Sequence, residues 1–96
     1  MLTPEDHIAG LTKLIAAHPG VKRVILFGSR ARGTPSLRSD IDLAVEGDDT
    51  VNWSELSLKV EDYPTLLQID LVPMHQVTGV FKGRVERDGK VLYARN

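Results

Sequence analysis

Three acids and a glycine-serine pair stand where residue type and spacing permit chemistry. Asp40 and Asp42 lie two residues apart, just ahead of Leu43-Ala44-Val45, and Asp70 sits inside a later apolar run from Leu67 to Val72. Residues i and i+2 of a strand project from the same face about 6.5–7 Å apart, so both carboxylates can lean on one metal ion. If the strand bearing Asp70 is a neighbour, about 4.8 Å to the side, Asp70 joins the same patch. Hard oxygen ligands with few other donors suit Mg²⁺, which is held by a couple of carboxylates plus substrate phosphates. Upstream, Gly28-Ser29 directly follows the apolar run Val24-Ile25-Leu26-Phe27. Glycine lets a backbone approach a phosphate closely, and the amides that follow can form an anion-binding nest. The Ser29 hydroxyl can donate to a phosphate oxygen, and Arg30 and Arg32 are candidates for countercharge. Ten residues separate Ser29 from Asp40. Taken as a unit, residues 28–42 read as a site for a metal-bound nucleoside triphosphate.

Each part alone is commonplace: paired acids arise by chance, and Gly-Ser after a strand is an ordinary turn. Asp is, however, depleted in strands, and here three acids occupy strand interiors opposite apolar faces. Clustered carboxylates raise one another's pKa unless a cation neutralises them. No Gly-Lys-Ser/Thr follows Gly28, which excludes a Walker A loop, and the absence of Gly-x-Gly-x-x-Gly argues against a dinucleotide fold. His7, His18 and His75 lack metal-ligand spacing and read as surface or structural residues. Trp53 and Tyr63 read as core rather than as a base-stacking platform, and Tyr93 as edge packing or a contact surface.

The elements that must position these groups follow from periodicity. Thr3-Pro4-Glu5-Asp6 is a helix start, with a capping Thr, Pro at the first position and acids in the first turn. Ile8, Leu11, Leu14 and Ile15 form its apolar stripe, and Pro19-Gly20 ends it. Val21 to Phe27 is a strand covered on both faces, since its apolar run does not alternate. Ser29 to Gly33 is a turn or short helix, and Thr34-Pro35-Ser36 a loop. Asp40 to Val45 alternates, with Asp40, Asp42 and Ala44 on one face and Ile41, Leu43 and Val45 on the other. Asn52 and Glu55 resemble a capping box ahead of a helix striped by Trp53, Leu56, Val60 and Tyr63. Leu67 to Val72 is the third strand, ended by Pro73. A helix is expected from Gln76 to Arg87, with Val77, Val80, Phe81, Arg84 and Val85 in contact range. Val91-Leu92-Tyr93 is a short edge strand. Helix alternating with strand predicts a small α/β sandwich with a mixed sheet.

The 96 residues suit one domain, 1–96. A net charge near −1 gives no sign of a bulk nucleic-acid or membrane binder. Locally, Val21 to Ser39 holds five cations and no acid, and Asp40 to Asp49 holds five acids and no cation, a juxtaposition that fits phosphates beside metal. The lack of cysteine excludes disulfides, zinc-thiolate sites and thiol nucleophiles. With no signal peptide or membrane-length apolar run, a cytoplasmic location is the expectation.

The combined pattern of Gly28-Ser29, ten residues, Asp40-x-Asp42 and the later Asp70 resembles the nucleotidyltransferase superfamily that includes DNA polymerase beta. Its size is similar to the minimal nucleotidyltransferase (MNT) group, which includes MntA-like antitoxins. The likeness extends to the Glu86-Arg87-Asp88-Gly89-Lys90-Val91-Leu92-Tyr93 ending. It implies a polymerase beta-like α/β fold, a mixed sheet flanked by helices. It implies that Asp40 and Asp42 bind two Mg²⁺ ions, and that Asp70 binds the catalytic ion and helps deprotonate an acceptor hydroxyl. Gly28 and Ser29 would hold the triphosphate. Arg32 matches the usual Gly-Ser-x-Ala-Arg-Gly form, supporting the loop or the phosphates. Arg38, where acids or small residues are common, is the oddity and a candidate partner contact. The implied reaction is in-line attack of a hydroxyl on the α-phosphate of ATP. Larger relatives carry a second domain, so a chain ending at Asn96 suggests a half-open cleft that another chain closes. The MNT group is paired with small all-helical HEPN ribonuclease toxins, and its antitoxin members attach AMP to a toxin tyrosine. The expectation is therefore adenylylation of a HEPN-type toxin, without direct nucleic-acid binding. The alternatives are a non-catalytic antitoxin that masks its partner, and a free-standing transferase for a small acceptor such as an aminoglycoside.

Overall fold

Thr3 starts the first helix through a reciprocal cap: the Asp6 N–H donates to Thr3 Oγ1 at 3.1 Å, and the Thr3 N–H donates to Asp6 Oδ2 at 2.9 Å. The computed structural model describes residues 2–33 and 39–95. The elements run α1 (Pro4–Ala16), β1 (Val21–Phe27), α2 (Gly28–Arg32), β2 (Ile41–Gly47), α3 (Trp53–Glu61), β3 (Ile69–Pro73), a 3₁₀ turn (Met74–Gln76), α4 (Gly79–Asp88) and β4 (Lys90–Ala94). The expected Thr34–Ser36 loop and the position of Arg38 lie outside the described residues.

The four strands form one mixed sheet in the order β3-β2-β1-β4. β1 is antiparallel to β2 and β4, and β2 is parallel to β3. A parallel neighbour requires a crossover, and α3 supplies it between β2 and β3. Alternation along β2 then sorts the core. Ile41, Leu43 and Val45 pack with Val24 and Leu26 beneath Leu11 and Ile15 of α1 and Leu56 and Val60 of α3. The other face of the sheet carries a smaller cluster of Ile25, Ala44, Met74 and Val85, with Phe27 against it. β1 is thus covered on both faces, as its unbroken apolar run requires.

Two local expectations differ. The Asn52 side chain accepts the Glu55 N–H at 3.1 Å, a single cap rather than a box. The expected helix from Gln76 divides into the 3₁₀ turn and α4, which begins after Thr78 at Gly79, a glycine with φ +61°. Val85 is the residue of α4 that is buried, while Val80 and Phe81 are 74% and 46% exposed. A Glu86–Arg23 ion pair at 3.0 Å also ties α4 to the sheet, and Arg23 reaches Glu46 of β2 as well.

Full burial of a Leu contributes about 1.5–3 kcal/mol, and Leu43 is wholly enclosed at the centre of the larger core. Leu43→Ala should cost about 3 kcal/mol through lost transfer energy and a residual cavity, read as a lowered urea midpoint with unchanged slope.

Candidate active site

The site begins as a matter of register. Asp42 of β2 stands directly opposite Asp70 of the parallel strand β3 and, on its other side, opposite Phe27 at the end of β1. Asp40 precedes β2 by one residue and keeps to the same face. One carboxylate oxygen from each of Asp40, Asp42 and Asp70 lies within 4.8 Å of the other two. Octahedral coordination at 2.0–2.1 Å places ligand oxygens about 2.9–4.2 Å apart, so a small inward lean suffices. All three carboxylates are half-buried and open to an arriving ion. The donor set therefore fits a divalent cation of the Mg²⁺ type.

Crowding has an electrostatic consequence. Burial, then the hydrogen bond with Asp70, then the charges of Asp70 and Asp40 push the Asp42 carboxyl up to about 6, against the opposing charge of Arg32. Below about pH 6 the Asp42 carboxyl therefore carries a proton, which a bound cation would displace.

Gly28 is the backbone side of the site. It has φ +76°, in the left-handed region, and a Cβ there would collide with Asp42 Oδ2. The glycine is thus required twice, by conformation and by the carboxylate packed against it. Ser29 follows in the first turn of α2, half-buried, and its carbonyl accepts the Gly33 N–H that closes the helix. Arg32 is exposed, with its charge felt at Asp42. Arg30 does not join this group. Its guanidinium donates twice to the Ser39 carbonyl, through Nε at 3.1 Å and Nη2 at 2.8 Å. Those bonds orient the guanidinium towards the backbone ahead of Asp40.

A cleft of about 470 Å³ runs round the free edge of β3, lined by Asp42 and Asp70 together with Phe27, Ser57, Val72 and Phe81. The rings of Phe27 and Phe81 meet edge to face at 5.7 Å. Phe81 is the residue the sequence did not single out for the site. The signal available was the pair Gly79 and Gly83, two positions to either side, which weakened the case for a buried stripe. A larger groove of about 900 Å³ lies between α1 and β4, but its walls include Ile8, Ala16, Leu26 and Leu92 and none of the three acids. Convergent polar chemistry, not size, assigns the site.

Two outcomes follow. Asp42 holds its proton up to about pH 6 in the fold but only to about its ordinary value of 3.8 when unfolded. Between those values the folded state binds more protons, so stability falls as pH rises through that window and stays lowered above it. In the presence of chelator, the melting temperature should drop from pH 4 to pH 7, and Asp42→Asn should flatten the drop. Gly28→Ala should cost about 1–2 kcal/mol in backbone strain alone and displace Asp42, read as a lowered urea midpoint together with weakened Mn²⁺ uptake.

Comparison with known proteins agrees with this geometry. Residues 10–96 match the family Polymerase beta, Nucleotidyltransferase. The protein adenylyltransferase MntA of Aphanizomenon flos-aquae (strain 2012/KM1/D3) is 30% identical over 97 aligned residues, covering 84% of this chain and 62% of that relative's length. The chain therefore spans less than two thirds of that protein. A crystal structure of a toxin-antitoxin with AMP-PNP superposes with a TM-score of 0.71 at 32% identity, over 96% of this chain and 74% of the other. One of a toxin-antitoxin MntA-HpeT mutant gives 0.68 at 31% identity, over 98% and 75%. Three carboxylates facing a positive-φ glycine, within a sheet that superposes on these antitoxin complexes, make this chain a member of the polymerase beta-type nucleotidyltransferase family.

Proposed function

We propose that this protein is a Mg²⁺-dependent adenylyltransferase that moves AMP from ATP to a hydroxyl, a tyrosine, of a HEPN-type toxin, and so acts as its antitoxin. The convergence of Asp40, Asp42 and Asp70 within 4.8 Å of one another carries the reading. The relatives support it, one named as a protein adenylyltransferase and another a toxin-antitoxin holding AMP-PNP.

The residues divide the work. Asp40 and Asp42 would hold both metal ions, and Asp70 the catalytic one. Bound Mg²⁺ supplies positive charge to the phosphates and to the attacking and leaving oxygens. Gly28 and Ser29, at the start of α2, would receive the triphosphate, with Arg32 as nearby countercharge. Asp70, on the edge strand and lining the open cleft, would accept the proton of an approaching hydroxyl. The hydroxyl oxygen bonds to the α-phosphorus, the bond from that phosphorus to the bridging oxygen breaks, and pyrophosphate departs with the electron pair. Orientation and charge stabilisation supply most of the acceleration.

The test is intact-mass measurement after incubating this protein and its partner toxin with ATP and Mg²⁺. The toxin should gain one or more AMP units, and Asp40→Ala/Asp42→Ala should abolish the gain. Unchanged toxin mass with the wild-type pair overturns the reading, and full neutralisation by the double variant would assign protection to masking instead.

A further inference from the structure

Asp40 needs explanation because no strand holds it. Asp42 and Asp70 sit within paired strands, but β2 begins only at Ile41. A carboxylate at the fraying end of a strand is poorly positioned unless the peptide groups on each side of it are fixed. The peptide after Asp40 is held by the Ile41 N–H, which donates to the Gln68 carbonyl at 2.9 Å. The peptide before it is held by Arg30, whose Nε and Nη2 both donate to the Ser39 carbonyl. These two anchors bracket the Asp40 Cα and limit the rotations that swing its side chain.

We propose that Arg30 is a positioning residue for the metal site, acting through the Ser39 carbonyl to set Asp40, and not a phosphate ligand. Two observations support this beyond the hydrogen bonds. The Arg30 side chain lines the groove between α1 and β4 beside Leu26, which faces the α1 core, whereas Asp42 is aligned with the opposite face of the sheet. Both guanidinium nitrogens that point at Ser39 are committed to one acceptor, a charge-assisted pair with a fixed direction. A lysine presents a single mobile ammonium and cannot reproduce the fork. The bond spans nine positions of sequence, so it ties α2 to the residues that lead into β2.

This proposal rests on reading the three acids as a metal site, and the experiment separates the two failures. Free Mn²⁺ is followed by electron paramagnetic resonance during titration of wild type, Arg30→Ala and Arg30→Lys, each also melted without metal. Groups behind a metal ligand typically influence affinity by about 10–100-fold, and a bond that acts through the backbone belongs at the low end. Arg30→Ala should weaken Mn²⁺ binding roughly tenfold, Arg30→Lys should fall between it and wild type, and the metal-free melting temperatures should stay close together. At saturating Mg²⁺, the KM for ATP should be preserved while the Mg²⁺ requirement rises. If Arg30→Ala does not fold, the lysine variant carries the same comparison. Unchanged Mn²⁺ affinity in the variants overturns the proposal, whether the melting temperature drops, as for a purely structural tie, or the KM for ATP rises, as for a phosphate ligand. A wild-type protein that takes up no Mn²⁺ overturns the metal reading itself, and this proposal with it.

Discussion

The gathering of three carboxylates on one face of a packed sheet is the constraint around which the molecule is arranged. Register forces it: Asp42 and Asp70 face each other across parallel strands, and Asp40 is brought in from the strand's leading end. The strands that impose this proximity are also the centre of the core. The opposite faces of β2 and β3 bear Ile41, Leu43, Ile69 and Leu71, packed beneath α1 and α3. The fold therefore concentrates apolar burial on one side of the sheet and electrostatic strain on the other. A protein tolerates such a site because the stabilising contacts elsewhere exceed its cost, and because a bound cation reverses the sign of the local interaction.

The acid-bearing face is correspondingly thin. Its cover is α4, anchored by Val85, by the Glu86–Arg23 ion pair and by the edge of Phe81 against Phe27. The ion pair is partly exposed, which limits it to a modest contribution. A thicker layer here would close the cleft beside Asp70. Sparse packing on this face and open access to the carboxylates are the same structural fact.

This division explains which features were legible in the sequence. Alternation from Asp40 to Val45 assigned the acids to one face because a strand's period of two leaves no freedom. The apolar run of β1 and the proline-glycine stop after α1 were equally local. That Asp70 lies directly beside Asp42 depends on a parallel pairing across a helical crossover, and no local pattern specifies its register. For α4, the periodicity predicted a stripe including Val80 and Phe81, but one buried residue is enough to seat a helix lying over a small cluster. Arg30 and Arg32, both read as candidates for countercharge, part company for a related reason. In a five-residue helix, neighbouring arginines diverge by roughly 100° per residue, so Arg30 and Arg32 have separate surroundings despite their common motif.

The fate of the cations then governs how the site meets its ligand. In the sequence, the basic run leading into the acidic one fits a site for phosphates beside metal. In the fold, Arg23 is engaged by Glu46 and Glu86, and Arg30 by a backbone carbonyl, while Arg32 is the cation whose charge reaches Asp42. Among the described residues, Arg32 is the cation whose charge is felt at Asp42, and it does not offset burial and the neighbouring carboxylates there. A triphosphate brings further negative charge into that field, and at short range in a partly desolvated cleft the repulsion is not well screened. On the proposed reading, a cation bound by the acids would relieve that repulsion and bring positive charge to the triphosphate. Arg30 holds the peptide ahead of Asp40, so under the proposed metal reading the geometry of Asp40, at the least supported end of β2, matters alongside the charges around it.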